Sequence, residues 1–144
     1  MLGEHTPLSG LVDDGMPTPT EVAARAAYEE AGLGPDELDV VELQDTDAAR
    51  HILSAEELGL CPRGTGGRWV RDGGGEMTSR VPVNPSGGLL SKGEPLGASA
   101  LGQVIELVHQ LRGEAGPRQV AGARTGLAHT VGRGANACCV IVTR

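Results

Sequence analysis

Aromatic residues are almost missing from this chain of 144 residues, which has one tryptophan, one tyrosine and no phenylalanine. Because aromatic side chains bury the largest areas in most cores, this core has to be built from Val, Leu, Ile and Ala packed closely together. Long hydrophobic runs are missing too, since no stretch approaches the roughly 18 apolar residues that could span a membrane. The first residues carry no basic, apolar signal architecture, which predicts a protein that is not exported.

Positive charge is also scarce, because 12 Lys and Arg residues face 19 Asp and Glu residues and the net charge is −7. This balance argues against nucleic-acid binding, which needs a basic face. The cysteines Cys61, Cys138 and Cys139 do not suggest a disulfide framework, since adjacent residues of a strand point to opposite faces. Cys138 and Cys139 are expected to pack in the core. The four histidines show no metal-ligand spacing with the cysteines, so we expect no metal site and a cytoplasmic protein.

What the chain does contain is a sequence of apolar segments separated by glycine and proline, with an apolar fraction of 39 %. Residues 1–17 are expected to be an extended lead-in, and residues 18–144 to form one domain. Thr18, Pro19 and Glu21 predict a helix start with a capping box. The pattern predicts, in order, helices over 19–31, 47–58 and 98–111, strands over 38–43, 118–129 and 136–142, and a short edge strand over 81–83.

That order predicts an α/β fold with one mixed sheet, helices packed on it and an antiparallel terminal pair of strands. The third helix carries a 3.6-period apolar stripe, which needs a cover. Its members are Leu101, Val104, Ile105, Val108 and Leu111.

Two glycine-rich segments interrupt this pattern. Residues 62–80 predict a functional or a disordered loop, whose arginines are solvated charges on the simplest interpretation. Residues 84–97 either let a ligand approach the backbone closely or form a tight structural crossover to the third helix. His129, at the end of a predicted strand, is either a structural hydrogen-bonding residue or a catalytic one.

Three stretches give the chain a resemblance to a known family. They are 24–44 (ARAAYEEAGLGPDELDVVELQ), 84–97 (NPSGGLLSKGEPLG) and 119–132 (QVAGARTGLAHTVG). They resemble, in turn, the unit leading to a His-Asp-Cys-Phe motif, an Asn-x-x-Gly-Gly…Gly-His-Pro-x-Gly loop and a strand ending in His-Asn-x-Gly. Together they are similar to the C-terminal half of a thiolase of the sterol-carrier-protein or lipid-transfer-protein branch.

The resemblance implies half of a thiolase fold, present here as a split, stand-alone subunit. It implies an N-terminal-half partner that supplies the rest of the active site, and it allows a zinc-ribbon/OB-fold acyl-CoA-binding protein as a further partner. The substrate implied is an acyl-CoA or another acyl thioester, with no tightly bound cofactor. The loop positions Asn84, Gly87, Gly88, Gly93 and Gly97 are the substrate-binding residues that the resemblance implies.

The catalytic positions that the resemblance implies are Gln44, Glu94 and His129. Only His129 matches its motif, because Glu94 replaces the histidine of Gly-His-Pro and Gln44 replaces that of His-Asp-Cys-Phe. A carboxylate cannot donate a hydrogen bond to an oxyanion unless it is protonated, which disfavours ordinary Claisen thiolysis. Retro-aldol cleavage needs instead a base, for which Glu94 or His129 is available. The alternative is a non-catalytic half that stabilises a partner or binds acyl-CoA without turnover.

Overall fold

Helix α1 (Pro19–Ala31) begins as the sequence predicts. The Glu21 amide donates to Thr18 Oγ1 at 3.2 Å and the Thr18 amide donates to Glu21 Oε2 at 2.7 Å, which together form the capping box. The computed structural model describes residues 15–132 and 136–144. Most of the predicted lead-in and part of the link between the last two strands therefore lie outside the described residues.

Three strands form one mixed sheet in the order β1-β2-β3. β1 (Val40–Leu43) runs parallel to β2 (Thr125–Gly132), and β2 pairs antiparallel with β3 (Asn136–Thr143). The predicted α/β class, the mixed sheet and the antiparallel terminal pair are confirmed. The strand predicted over 118–129 starts later, because a 3₁₀ turn at Gly116–Arg118 comes first.

Four further α-helices lie in the part of the chain that the structure describes, and two of them lie in segments predicted to be loops. The helices are α2 (Ala48–Glu57), α3 (Gly66–Arg71), α4 (Gly88–Lys92) and α5 (Ser99–Arg112). The edge strand predicted over 81–83 is reduced to a single parallel bridge between Val83 and Val41. This bridge lies on the side of β1 away from β2. The chain therefore enters the glycine-rich segment 84–97 directly beside the end of β1.

Each face of the sheet has its own apolar core. Val41, Leu43 and Leu127 pack on one face with residues of α1 and α2. Val40 packs on the other face with Leu107 of α5. Because a Cβ at Gly126 would lie 2.9 Å from Leu107 Cδ2, glycine in β2 is what lets α5 approach the sheet this closely.

Helix α5 is turned differently from what its apolar stripe predicts. Leu101 and Ile105, two members of that stripe, are 63 % and 47 % exposed. The buried face carries Gln103, Glu106 and Gln110 beside two leucines. Gln103 Nε2 donates to the main-chain oxygen of His129, so tertiary hydrogen bonds make polar burial possible here.

The segment before α5 also exposes apolar side chains, since Leu90 and Leu96 are 57 % and 70 % exposed. We define the α5 apolar face as Leu90, Leu96, Leu101 and Ile105, four large apolar residues exposed within residues 90–105. We expect this part of the surface to pack against another protein, as large exposed apolar patches do.

The α5 apolar face predicts that the isolated chain self-associates, because its leucines gain by leaving water. Sedimentation velocity is expected to show oligomers, and the double change Leu101→Lys and Ile105→Lys is expected to shift them to monomer. Val22→Lys is a matched control, since Val22 is 44 % exposed on α1 and lies outside this face. A wild-type chain that sediments as a single monomer would contradict the assignment.

Candidate active site

The end of β1 holds the start of segment 84–97. The Asn84 amide donates to the Val41 main-chain oxygen at 2.7 Å, and Asn84 Oδ1 accepts the Leu43 amide at 2.8 Å. Asn84 has a left-handed φ of 53°, a conformation that asparagine tolerates better than most residues. The chain thus turns away from β1 while its first side chain stays bonded to the strand.

Glu42, whose side chain lies on the α5 face of the sheet, makes a second attachment between β1 and segment 84–97. Its side chain is 1 % exposed and accepts from Ser86 twice, from the amide at 3.1 Å and from Oγ at 2.7 Å. Lys92 Nζ donates to the same Ser86 oxygen at 2.7 Å. Burial raises the pKa of Glu42, and the Ser86 hydrogen bonds oppose that rise.

Asp45 makes the third attachment, since its Oδ1 accepts the Leu89 amide at 2.6 Å. Gly88 has a φ of 64° and lies against this carboxylate so closely that any side chain would collide with it. Asn84, Gly87 and Gly88, predicted to bind substrate, are therefore placed where they shape the segment. Their contact with a substrate stays a prediction.

Gln44 makes the fourth attachment and joins three parts of the fold. Gln44 Oε1 accepts from Thr130 Oγ1 at 2.6 Å and from the Val131 amide at 2.7 Å. Because an amide N–H can only donate, the Val131 bond fixes which way the Gln44 side chain points. Its Nε2 then donates to Glu94 Oε1 at 2.6 Å.

These groups line a cleft of about 820 Å³ at the carboxyl ends of β1 and β2, beside the first residues of α5. Glu94 is exposed there, with one carboxylate oxygen held by Gln44. A carboxylate held in this way offers a proton acceptor at a fixed place. The cleft is lined by Gln44, Glu94, Leu96, Gly97, Ser99, Ala100, Thr130, Val131, Gly132, Asn136, Ala137 and Cys138.

The His129 side chain lies outside this cleft. Its side chain is 0 % exposed, on the face of the sheet that packs on α1, and a 3.1 Å hydrogen bond joins its Nε2 to Thr20 Oγ1. Burial, and to a smaller extent the positive charge of Arg50, lower the pKa of His129 to about 4. The neighbouring Thr130 points the other way, into the cleft, because side chains alternate along a strand.

The structure thus brings together Gln44, Glu94 and Gly97 of the predicted site, with Gly93 directly next to Glu94. It does not bring His129 to them. Sequence reasoning missed Thr130, Asn136 and Cys138. Cys138 was expected in the core, but it is exposed, because it lies on the cleft face of β3 whereas Cys139 packs against the core on the opposite face. The signal for it was the adjacent pair of cysteines, whose side chains have to take opposite faces.

In residues 15–132 and 136–144, no three His, Cys, Asp or Glu side chains come together as metal ligands. No helix in the same residues has the length and hydropathy needed to cross a bilayer.

Comparison with known proteins identifies the family. Residues 5–144 match the family described as "Thiolase C-terminal domain-like". Sterol carrier protein 2 of Bos taurus is 50 % identical over 121 residues, covering 84 % of this chain and 22 % of that protein. The acetyl-CoA acetyltransferase of Methanothermobacter thermautotrophicus is 48 % identical over 110 residues, covering 76 % of this chain and 29 % of that protein.

A solved structure, of an Ltp2-ChsH2(DUF35) aldolase, shares the fold with a TM-score of 0.75 at 24 % identity, covering 86 % of this chain and 31 % of that one. The fold of this chain is therefore similar to half of a thiolase-like fold. The chain belongs to the thiolase C-terminal domain-like family, as the three sequence motifs indicate. It spans 22–29 % of the length of these two curated relatives.

The buried His129 predicts a pH-dependent stability. Its pKa falls from 6.5 to about 4 on folding, so between these values the unfolded chain binds the extra proton. The contribution of His129 to the free energy of unfolding is therefore complete above pH 6.5. It decreases as the pH falls toward 4, by roughly 3 kcal/mol in total. Denaturation at several pH values should show a shallower decrease for His129→Asn. Parallel curves for the two proteins would mean that His129 is not buried in its neutral form.

Proposed function

We propose that this chain is one subunit of a split thiolase-like heteromer that cleaves or forms a C–C bond next to an acyl thioester carbonyl. The observation that carries the proposal is the cleft, in which Glu94, Gln44 and Thr130 meet at the carboxyl ends of two parallel strands. Ligands of open α/β sheets bind at this end of the strands. Family membership then favours a thioester as the ligand.

Coenzyme A thioesters are the proposed substrates. The acetyl-CoA acetyltransferase among the relatives carries such a substrate in its name. The cleft has an apolar lining residue, Leu96, together with polar groups from Ser99, Thr130 and Asn136. This mixture suits an acyl chain at one side and the amides of a pantetheine arm at the other. Family membership gives no reason to expect a tightly bound cofactor.

Glu94 is proposed as the base. In a retro-aldol cleavage, its carboxylate takes the proton of the β-hydroxyl group, the bond between the α and β carbons breaks, and the electron pair moves into the thioester enolate. Gln44 keeps the carboxylate in place through its 2.6 Å bond to Oε1. A thiolase-type cleavage uses the same cleft but needs a nucleophile as well. His129 supports β2 in this account and does not contact the substrate.

The partner is proposed to be a thiolase N-terminal half that covers the α5 apolar face. Leu96 belongs both to that face and to the lining of the cleft. A protein bound on the α5 apolar face would therefore close one side of the cleft and exclude water from it. A zinc-ribbon/OB-fold acyl-CoA-binding protein is a possible third component, since the aldolase of similar fold carries DUF35 in its name. The assembly is proposed to work in the cytoplasm.

The alternative is a half that stabilises its partner or binds acyl-CoA without turnover. The exposed Glu94 carboxylate favours this alternative, because its negative charge would repel an oxyanion formed beside it.

Glu94→Gln separates the two functions, because it removes the base and keeps the size of the side chain. In the complex with a co-expressed N-terminal half, C–C cleavage of a β-hydroxyacyl-CoA or β-ketoacyl-CoA is expected to fall by roughly 10²-fold or more. Acyl-CoA binding and assembly of the complex are expected to persist. Glu114→Gln is the matched control, since Glu114 is an exposed carboxylate paired with His109. Cleavage by Glu94→Gln at the parent rate would exclude Glu94 as the base, and no cleavage by the parent complex would favour the alternative.

A further inference from the structure

The Thr130 hydroxyl group begins a series of hydrogen bonds that ends at the proposed base. Thr130 is half-buried on β2, and its side chain lines the cleft. Its Oγ1 donates to Gln44 Oε1 at 2.6 Å, and Gln44 Nε2 donates to Glu94 Oε1 at 2.6 Å. Two short hydrogen bonds, with one side-chain amide between them, therefore connect β2 to the Glu94 carboxylate.

The Gln44 amide has no hydrogen-bonding capacity left for a substrate. Gln44 is 7 % exposed, and its oxygen accepts both the Thr130 hydroxyl and the Val131 amide, the latter at 2.7 Å. Its nitrogen donates to Glu94 and, at 3.4 Å, to Thr46 Oγ1. Because a side-chain amide has two acceptor positions and two hydrogens, all four are occupied. The role left to Gln44 is to hold Glu94.

Thr130 adds to this hold in two ways. One main-chain donor, from Val131, leaves a side-chain amide free to pivot about a single bond, whereas a second donor on the same oxygen fixes its plane. An amide oxygen that accepts hydrogen bonds also polarises its own N–H groups, so each bond in such a series strengthens the next. Loss of the Thr130 hydroxyl would therefore loosen and weaken the bond from Gln44 to Glu94.

The same contacts distinguish the two oxygens of the Glu94 carboxylate. Oε1 accepts from Gln44 at 2.6 Å and from Thr46 Oγ1 at 3.4 Å. Oε2 receives no hydrogen bond from the residues that the structure describes, so it is the oxygen free to accept a proton. A base has to lie within hydrogen-bond reach of the proton that it takes, and a small displacement of the base lowers the rate strongly.

We propose that Thr130 is a positioning residue, which acts through Gln44 to direct Glu94 Oε2 at the substrate. The inference rests on the proposed function and adds to it a residue that does not take part in bond making. In the retro-aldol step, the proton of the β-hydroxyl group passes to Glu94 Oε2 and the electron pair of the breaking C–C bond enters the thioester enolate. Thr130 and Gln44 keep their protons throughout.

Thr130→Val tests this role, because it keeps the branched shape of the side chain and removes the hydroxyl group. In the complex with the co-expressed N-terminal half, kcat for cleavage of a β-hydroxyacyl-CoA is expected to fall roughly 3- to 10-fold, the effect of one hydrogen bond, with KM unchanged. Thr130→Ser restores the donor and is expected to recover most of kcat. Thr125→Val is the matched control, since Thr125 lies at the opposite end of β2.

The same change in a Glu94→Gln background separates positioning from a general effect on the fold. If Thr130 acts through the carboxylate, Thr130→Val is expected to cause no further loss of kcat there. Equal losses in both backgrounds, or a Thr130→Ser variant as slow as Thr130→Val, would overturn the assignment and leave the proposed function standing. Absence of cleavage by the wild-type complex would overturn both.

Discussion

The end of β1 and the two residues after it hold segment 84–97 in place. Glu42, Gln44 and Asp45 each form a hydrogen bond to a different point of that segment, and the Leu43 amide forms one to a fourth. Glycine is required at position 88 because that segment passes directly over the Asp45 carboxylate. Residues 40–45 therefore do two things at once. Val41 and Leu43 fill the core on one face of the sheet, and Gln44, directly after the strand, positions the exposed Glu94 carboxylate at the mouth of the cleft.

Helix α5 links the cleft to the proposed partner. Its polar side turns toward the sheet, where Glu106 bonds the Arg118 guanidinium at 2.9 Å and Gln110 accepts the Val120 amide at 2.7 Å. Its apolar side turns outward, so covering it gains hydrophobic free energy that this chain alone does not obtain. Because Leu96 lies in both the α5 apolar face and the cleft, assembly and the chemistry of the cleft are physically coupled.

The sequence was sufficient for the order of the three strands and of α1, α2 and α5, and for the α1 cap, because these depend on local spacing. It did not predict α3 and α4, two short helices within the glycine-rich segments. It was not sufficient for the orientation of α5, since the hydrogen bonds that let Gln103 and Glu106 be buried come from residues far along the chain. The family resemblance did imply that Gln44 and Glu94 share a site, but not their direct hydrogen bond. Cys138 was expected in the core because an apolar strand gives no sign of which of its two faces is left uncovered.

Gln44 fixes the Glu94 carboxylate through one hydrogen bond, and a double-mutant cycle measures that contact in solution. Gln44→Leu and Glu94→Ala, measured singly and together by denaturation, are expected to show a coupling of about 0.5–1 kcal/mol in the free energy of unfolding, modest because Glu94 is exposed. The pair Gln44 and Glu114 should show none, because Glu114 bonds elsewhere. Additive effects for Gln44 and Glu94 would contradict the claim.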